Sequence, residues 1–246
     1  MSDVNYPDPR ERIIVALDVS ARKDLEKWAE LLKLHVKWVK VGMELFYAQG
    51  PEVITFLRDH GFKIFLDLKL HDIPNTVQKA AAVLARLGVG ILNLHTLGGV
   101  EMMKRTAEAV KQVADAEGIN RPQIIGVTVL TSHSPEVLRD ELQVAPSLPE
   151  EVLHLAGLAK SSGLDGVVCS PWEIKKIKDS YGADFLTVVP GIRPAWAVPG
   201  DQVRIKTPSQ AITEGADFLV IGRPILSAPD PVVAINSIIQ EMHSES

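Results

Sequence analysis

Residues 63–70 read KIFLDLKL, and hydrophobic and polar positions alternate along this stretch. Every second residue from Ile64 to Leu70 is aliphatic, whereas Asp67 and Lys69 lie on the opposite face. A period of two is typical of a β-strand with one buried face. The pattern therefore predicts a strand. It also raises a question, because a carboxylate and an ammonium share the face that is turned away from the aliphatic side chains.

Short runs rich in β-branched residues recur along the whole chain and predict eight strands. They span residues 13–19, 36–42, 62–70, 89–95, 123–130, 165–170, 184–191 and 216–222. The segments between them carry the spacing of amphipathic helices. Eight alternations of strand and helix predict an α/β fold, a single (β/α)8 TIM barrel. A doubly wound open sheet is the alternative, but no G-x-G-x-x-G motif follows the first strand.

Serine, threonine and proline residues mark the predicted helix starts, because a hydroxyl caps a helix well and proline suits its first turn. These signals are Ser20, Pro74, Ser170-Pro171 and Thr207-Pro208. Gly88 and Gly215 follow two of these segments, where a helix is expected to end. The longest interval between strands, residues 131–164, has room for a short extra helix before its main one.

Composition narrows the function classes. The chain has 246 residues and a net charge of −5, which argues against a broad basic surface for nucleic acid. No apolar run approaches the roughly 20 residues of a membrane-spanning helix, and residues 1–12 lack the apolar segment of a secretory signal. The single cysteine, Cys169, excludes an internal disulfide framework and a cysteine-based metal cluster. We therefore expect a cytoplasmic protein that binds neither nucleic acid nor membrane.

No composition shift or flexible linker divides the chain. We therefore expect residues 1–246 to form one catalytic barrel domain, with residues 1–12 as an N-terminal extension. Residues 193–208 are rich in proline and glycine and follow the seventh predicted strand, so we interpret them as a lid over the barrel mouth. Gln202 would reach a ligand from this lid. The alternative is a stiff connector, since three prolines lie in the segment.

Polar residues cluster at the predicted carboxyl ends of the strands, where barrel enzymes have their active sites. They are Asp18, Lys40, Asp67, Lys69, Asn93, His95, Thr128, Thr131, Ser132, Arg193 and Arg223. Because an unpaired charge there is costly, we expect the lysines and aspartates to pair. An isolated Asp-x-Lys is typical of a structural ion pair. Its combination with Asp18 and Lys40 favours an active site, although Lys40 itself is either a counter-ion or a catalyst.

A metal site at the same strand ends is an alternative, because His71 and His95 lie near Asp67 in the predicted barrel. Histidine and carboxylate side chains are common metal ligands, but these three residues match no fixed ligand spacing. The pattern therefore favours histidines that serve the core or make hydrogen bonds, and we expect no metal at the site.

The ends of strands 7 and 8 carry a predicted phosphate site, because the loops at these places often bind phosphate in TIM barrels. The sequences VVPGIRP (188–194) and VIGRPIL (220–226) each combine glycine with arginine. Gly222 would allow close approach of the backbone, and Arg223 would add a forked cation. The alternative is that Gly-Arg-Pro is only a tight entry to a helix.

Six motifs together carry a resemblance to a known family: ALDVS (16–20), VKVGMELF (39–46), DLKLHDIPNT (67–76), GVTVLTS (126–132), VPGIRP (189–194) and IGRPI (221–225). Through them the chain closely resembles bacterial-type orotidine 5′-phosphate decarboxylases over essentially its whole length. The D-x-K-x-x-D part is shared with a wider suprafamily, and its extension HDIPNT is more specific. The resemblance implies decarboxylation of orotidine 5′-phosphate to uridine 5′-phosphate without a metal or organic cofactor. It also implies a homodimer in which Asp72 and Thr76 complete the neighbouring site.

Residue roles follow from the same resemblance. It implies that Lys69, Asp67, Lys40 and Asp72 form the catalytic charge array, with Lys69 protonating C6 of the pyrimidine. Asp18 and Lys40 would hold the ribose hydroxyls, and Asp67 would lie beside the substrate carboxylate. The remaining implied contacts are Thr131 or its neighbour Ser132 at the pyrimidine, and Arg193, Gln202, Gly222 and Arg223 at the phosphate end and closing loop.

Two alternatives stay open at this point. A suprafamily relative would be a metal-dependent decarboxylase or aldolase acting on a sugar phosphate, and HDIPNT (71–76) argues against it. A non-catalytic barrel that only binds a nucleotide is the second. The presence of every expected charged residue, Lys69 above all, argues against that alternative.

Overall fold

Eight parallel strands close into one barrel in chain order, with the eighth strand paired to the first. The structure is a computed structural model, and it describes residues 8–197 and 204–243. The strands are β1 Ile13–Ala16, β2 Trp38–Gly42, β3 Lys63–Leu70, β4 Ile91–His95, β5 Gln123–Val127, β6 Gly166–Val168, β7 Leu186–Val189 and β8 Phe218–Ile221. The predicted TIM barrel is confirmed. Most strands are shorter than the sequence runs, because those runs extend into the loops.

Helices cover the outside of the barrel. They are α1 Arg22–Leu32, α2 Met43–Gln49, α3 Glu52–Asp59, α4 Pro74–Ala85, α5 Gly99–Glu117, α6 Leu148–Ser161, α7 Ile174–Tyr181, α8 Pro208–Thr213, α9 Arg223–Leu226 and α10 Pro231–His243. A π-helical turn at Val137–Glu141 precedes α6, which confirms the extra short helix. Among the residues described, no helix is long and apolar enough to cross a membrane.

Two of the predicted helix starts are confirmed. Pro74 is the first residue of α4. Thr207 caps α8 reciprocally, because its hydroxyl accepts the backbone N–H of Gln210 at 3.3 Å while the Gln210 side chain accepts the N–H of Thr207 at 3.1 Å.

The other two predicted helix starts are wrong: the N-cap lies one residue after Ser20 and three residues after Ser170. Ser20 lies one residue before the N-cap of α1, which is Ala21, and its carbonyl accepts a hydrogen bond of 2.7 Å from the Gln49 side chain instead. After Ser170 the chain makes a turn, and α7 begins only at Ile174. The reason is that the Ser170 hydroxyl and backbone N–H both donate to the Glu173 carboxylate, so that the serine does not cap the helix.

The barrel interior is filled by large apolar side chains up to the level of the polar residues. Trp38 and Phe218 meet edge to face with their ring centroids 5.4 Å apart. The Trp38 ring also requires glycine at position 90, because a Cβ there would lie 2.7 Å from it. Inward positions recur every second residue along a strand. The polar residue that follows two positions after Trp38 is therefore Lys40, at the next level toward the carboxyl ends.

Strand β3 is irregular where its charged residues lie. Leu66 pairs with Leu92 and Leu70 with Leu94, so three residues of β3 face a single residue of β4. Within this bulge Lys69 has a φ of 52°, in the left-handed region that L-residues rarely adopt. The aliphatic side chains still pack outward against the helices, as the alternation predicts. The bulge was not predicted, because no glycine or proline marks it in the sequence.

Candidate active site

Four charged side chains form an alternating row at the carboxyl ends of β1, β2 and β3. The Lys40 ammonium lies 3.1 Å from Oδ1 of Asp18 and 3.4 Å from Oδ2 of Asp67. The Lys69 ammonium lies 2.6 Å from Oδ1 of Asp67. The predicted pairing of lysines with aspartates is confirmed. The row also explains why β3 turns opposite charges to one face, since each carboxylate there is neutralised by a cation.

Burial alone would favour the neutral forms of Lys40 and Asp67, the two middle residues of this row. It opposes a charge on Lys40, but the charges of Asp67 and Asp18 together outweigh burial and raise the pKa of the ammonium above its usual value. Burial also opposes ionisation of Asp67, yet Lys40, Lys69 and a hydrogen bond from Asn93 bring the pKa of that carboxyl below its usual value. Lys40 and Asp67 therefore both stay charged at neutral pH.

Asn93 on β4 contacts the same row, although its sequence position indicated only a polar strand end. Its side chain is fully buried, and its Nδ2 donates to Oδ1 of Asp67 at 2.7 Å. Its Oδ1 accepts the backbone N–H of Lys69 at 2.8 Å. The signal that would have found it is its inward position two residues after Ile91, at the level where β3 carries Asp67.

A cavity of about 170 Å³ opens beside the row. Lys40, Asp67 and Lys69 line one part of it, and Thr131 contributes a hydroxyl. The other walls are apolar, and they are Phe65, Val127, Val129, Leu130, Val168, Pro190 and Val220. Of the two pyrimidine candidates, only Thr131 lines the cavity, whereas Ser132 is exposed. A flat, largely apolar ring with one polar edge fits this lining.

Two of the predicted phosphate residues, Arg193 and Arg223, line a second cavity of about 390 Å³ together with Pro224. Gly222 adjoins the charged row, since a Cβ there would lie 3.6 Å from Oδ2 of Asp18. Helix α9 after Gly222 is only one turn long, so its dipole contributes little and the arginine charges carry the electrostatic attraction for an anion.

Two residues predicted to belong to the charge array or to complete a site, Asp72 and Thr76, do not contact the row within the described single chain. The Asp72 side chain is exposed, and its Oδ1 accepts the backbone N–H of Ile73 at 2.6 Å. Thr76 is exposed in the first turn of α4. Neither residue lines the cavity beside Lys69. Gln202 lies outside the described residues.

His71 and His95 lie side by side with their ring centroids 5.3 Å apart. Burial, reinforced by the nearby His71 and Lys69, lowers the pKa of His95 to about 4, so its ring is neutral at pH 7. Within the described residues, 8–197 and 204–243, no three histidine, cysteine or acidic side chains are grouped so that they could hold a metal ion.

The ends of the predicted lid are fixed to the barrel. Ile192 and Lys206 form a β-bridge, and the Arg193 N–H donates to the Lys206 carbonyl at 2.9 Å. Arg204 is buried and pairs with Glu173 at 2.7 Å. The two sides of the segment are therefore held close together. Whether residues 193–208 act as a lid or as a connector stays a prediction, since residues 198–203 lie outside the described part.

The closed barrel and the charged row at its carboxyl end define the class of the protein as a TIM-barrel enzyme. A sequence profile of the "Orotidine 5'-phosphate decarboxylase / HUMPS family" matches residues 11–238. The chain belongs to this family.

Curated relatives and a solved structure agree with this assignment. The chain is 48% identical to the orotidine 5′-phosphate decarboxylase of Geotalea daltonii, covering 96% of this chain and 97% of that protein. It is 49% identical to the enzyme of the same name from Syntrophotalea carbinolica, covering 96% of each chain. The crystal structure of orotidine 5′-phosphate decarboxylase from Lactobacillus acidophilus matches with a TM-score of 0.84 and 45% identity, covering 95% of this chain and all of that one.

Proposed function

We propose that this chain decarboxylates orotidine 5′-phosphate to uridine 5′-phosphate, without a metal or organic cofactor, in pyrimidine biosynthesis in the cytoplasm. The observation that carries the proposal is the row Asp18–Lys40–Asp67–Lys69, of which Lys40, Asp67 and Lys69 line a cavity suited to a pyrimidine ring. The relatives at 48–49% identity bear the name of this enzyme, which supports the same reaction.

The chemistry needs a fixed positive charge at one carbon atom. Loss of CO₂ from C6 of the pyrimidine leaves an electron pair in the plane of the ring, where the π-system cannot delocalise it well. An ammonium that is already in place stabilises this charge without reorganisation of solvent. We assign this role to Lys69, which then transfers a proton to C6 as general acid. Asp67 holds the Lys69 ammonium at 2.6 Å and lies beside the substrate carboxylate in this arrangement.

The other contacts follow the order of the row and of the two cavities. Asp18 and Lys40 lie at the end toward Gly222, and we assign them to the ribose hydroxyls. Thr131 lines the ring cavity and is assigned to the pyrimidine in preference to Ser132. The residues assigned to the phosphate and the closing loop are Arg193, Gln202, Gly222 and Arg223. Phosphate binding remote from C6 would supply binding energy for closure of the loop.

We propose in addition that the active form is a homodimer, in which Asp72 and Thr76 of one subunit complete the site of the other. Both residues are exposed in the single chain, so they are accessible to a second copy. Large apolar side chains are exposed after three neighbouring strands, at Met43, Ile73 and Leu97, and they give that sector of the barrel rim the character of an interface.

The reaction is tested by following the loss of orotidine 5′-phosphate absorbance in the presence of a chelator. We expect rapid turnover by the native chain, and a loss of several orders of magnitude for Lys69→Ala. The matched control is Lys63→Ala at the opposite end of the same strand, where the ammonium pairs with Glu11 at 2.7 Å; it should retain turnover. No turnover by the native chain would refute the proposal. Turnover of a sugar phosphate that the chelator abolishes would establish the metal-dependent alternative, and nucleotide binding without turnover would establish the non-catalytic barrel.

The shared site is tested by mixing two inactive variants, Lys69→Ala and Asp72→Ala. A mixed dimer contains one site with both native residues, so refolding an equal mixture should restore about a quarter of the native sites. Each variant alone should stay inactive. If differently tagged subunits form mixed dimers and no activity returns, the proposal that Asp72 acts in the neighbouring site is refuted.

The biosynthetic role is tested by growth. A bacterial strain that lacks its own orotidine 5′-phosphate decarboxylase should grow without uracil when it expresses the native chain in the cytoplasm. The same strain with Lys69→Ala should require uracil. Dependence on uracil with a stable and active native protein would contradict the assigned pathway.

A further inference from the structure

The bulge in β3 creates a local problem that one side chain solves. Three residues of β3 face the single residue between Leu92 and Leu94, so the regular ladder of backbone hydrogen bonds is interrupted there. A buried backbone N–H without a partner is costly. The residue between the two leucines is Asn93, and its Oδ1 accepts the backbone N–H of Lys69 at 2.8 Å. The side chain of β4 thus replaces a ladder bond.

The same amide also binds the carboxylate next to Lys69. Nδ2 of Asn93 donates to Oδ1 of Asp67 at 2.7 Å, and the Lys69 ammonium donates to that same oxygen at 2.6 Å. The orientation of the amide is determined by these partners, because only its oxygen can accept the N–H and only its nitrogen can donate to the carboxylate. One buried group therefore holds both the backbone of Lys69 and the partner of its ammonium.

The backbone that Asn93 holds is a strained one. A φ of 52° at a lysine is disfavoured by contact between Cβ and the neighbouring backbone. Such a conformation persists only where the surroundings fix it, and it is common at functional sites. The direction in which Lys69 leaves the strand, and hence the position of its ammonium, depends on this conformation.

We propose that Asn93 is a positioning residue for the reaction, which places the Lys69 ammonium by holding both its backbone N–H and the Asp67 carboxylate. The inference rests on the proposed function and deepens it. Asn93 does not line the cavity, so it acts through Lys69 and Asp67 and not on the substrate.

The first test replaces the amide with an apolar group of similar size. Asn93→Leu removes both hydrogen bonds, and we expect kcat to fall about 100-fold, as displacement of a reacting group by about 1 Å can cause. The KM for orotidine 5′-phosphate should change little, because the phosphate and ribose contacts remain. The matched control is Thr106→Val on α5, which removes a buried hydrogen bond of 2.7 Å to the Met102 carbonyl and should leave kcat unchanged.

The second test uses pH and a variant that preserves the size of the side chain. In Asn93→Asp one oxygen still accepts the Lys69 N–H, but the other faces Oδ1 of Asp67 without a proton between them. Two carboxylates within hydrogen-bond distance of each other share one proton, and the pKa for uptake of that proton is raised. Uptake of the proton restores the donor, so the kcat of Asn93→Asp relative to the native chain should rise as the pH falls from about 8 to about 5.

The other ionisable groups that face Asp67 are Lys40 from β2, Lys69 from β3 and His95 from β4, with Asp18 of β1 beyond Lys40. They are present in both the native chain and the variant, so their ionisation contributes to both pH profiles. The ratio for Asn93→Leu should show no rise, because leucine cannot be protonated.

The outcomes separate the inference from the function on which it rests. If the native chain turns over orotidine 5′-phosphate while folded Asn93→Leu keeps its kcat, the positioning role is refuted and the proposed function stands. The positioning role is also refuted if the kcat of Asn93→Asp relative to the native chain does not change with pH. If Asn93→Leu does not fold, the test rests on Asn93→Asp alone. If the native chain shows no turnover, the proposed function fails and the inference fails with it.

Discussion

The ammonium nitrogen of Lys40 lies 2.9 Å from the position that a Cβ atom would occupy on Gly42. The backbone at Gly42 has a φ of −88°, which any residue adopts, so glycine is not required there for its conformation. It is required for space. Without a side chain at this position, the Lys40 ammonium reaches the place between Asp18 and Asp67 from which it contacts both carboxylates.

We therefore predict that Gly42→Ala lowers kcat/KM for orotidine 5′-phosphate at least about tenfold by displacing the Lys40 ammonium. The free energy of unfolding should change by less than about 1 kcal/mol, because the displaced group is the flexible end of a lysine side chain. The matched control is Gly157→Ala on α6, where the new Cβ would lie 2.7 Å from the Tyr181 hydroxyl. That variant should lose stability and keep kcat/KM. Unchanged activity in Gly42→Ala would contradict the assigned role of Lys40.

The left-handed backbone at Lys69 gives a prediction about stability alone. Glycine adopts a positive φ without the Cβ contact that alanine makes, so Lys69→Gly should be more stable than Lys69→Ala by about 1 kcal/mol. At Lys63, in the regular part of the same strand, the order should reverse: Lys63→Ala should be more stable than Lys63→Gly, because glycine in a regular strand is destabilising relative to alanine. Urea unfolding of the four variants measures both differences. A more stable alanine at position 69 would show that the backbone there is not left-handed.

The lowered pKa of His95 predicts how the free energy of unfolding depends on pH. Its pKa of about 4 in the folded chain lies below the unfolded value of about 6.5, so between these limits the unfolded chain binds more protons. Stability therefore falls as the pH is lowered from 6.5 to 4. Since one pKa unit corresponds to about 1.4 kcal/mol and the partial exposure of His95 reduces the effect, we expect a loss of about 1–2 kcal/mol from this group.

The measurement is urea unfolding of His95→Gln across this pH range at one protein concentration. The variant should lose less stability than the native chain between pH 6.5 and 4, while above pH 7 the difference between the two should be constant. His154→Gln, at an exposed position on α6, serves as the control. Parallel curves for the native chain and His95→Gln would contradict the neutral state assigned to His95.

We predict that replacing Arg223 weakens substrate binding without preventing folding. In the proposed function it binds the phosphate, and a charge-assisted hydrogen bond is worth about 1.5–3 kcal/mol. Arg223→Ala should therefore raise the KM for orotidine 5′-phosphate about 10- to 100-fold. Arg86→Ala, which removes an exposed ion pair with Glu117, should leave the KM unchanged. An unchanged KM for Arg223→Ala would show that the phosphate binds elsewhere.

Much of the fold was predictable because the dominant signal is periodic. The spacing of apolar residues predicted all eight strands, and the rule that inward positions recur every second residue placed Lys40 and Asp67 at one end of the barrel. The same rule accounts for Asp18, two residues after Ala16. These predictions depend only on alternation and on the common direction of parallel strands.

What escaped prediction depends on single hydrogen bonds that periodicity does not encode. Ser20 has the right chemistry for a cap, but the Gln49 side chain holds it in the preceding loop. Lys69 takes a conformation that its side-chain type disfavours, because Asn93 compensates for the lost ladder bond. Both cases involve partners more than 20 residues away in the sequence, and neither has a local signature.

The joined ends of the segment after β7 have an evolutionary consequence. Because the bridge between Ile192 and Lys206 and the buried pair of Arg204 with Glu173 hold its two ends, changes in the length of the intervening residues are not transmitted to β7 or α8. Insertions at such a place cost little, since loop closure entropy grows only slowly with length. Selection can therefore vary the length of this segment while the charged row and the barrel stay the same.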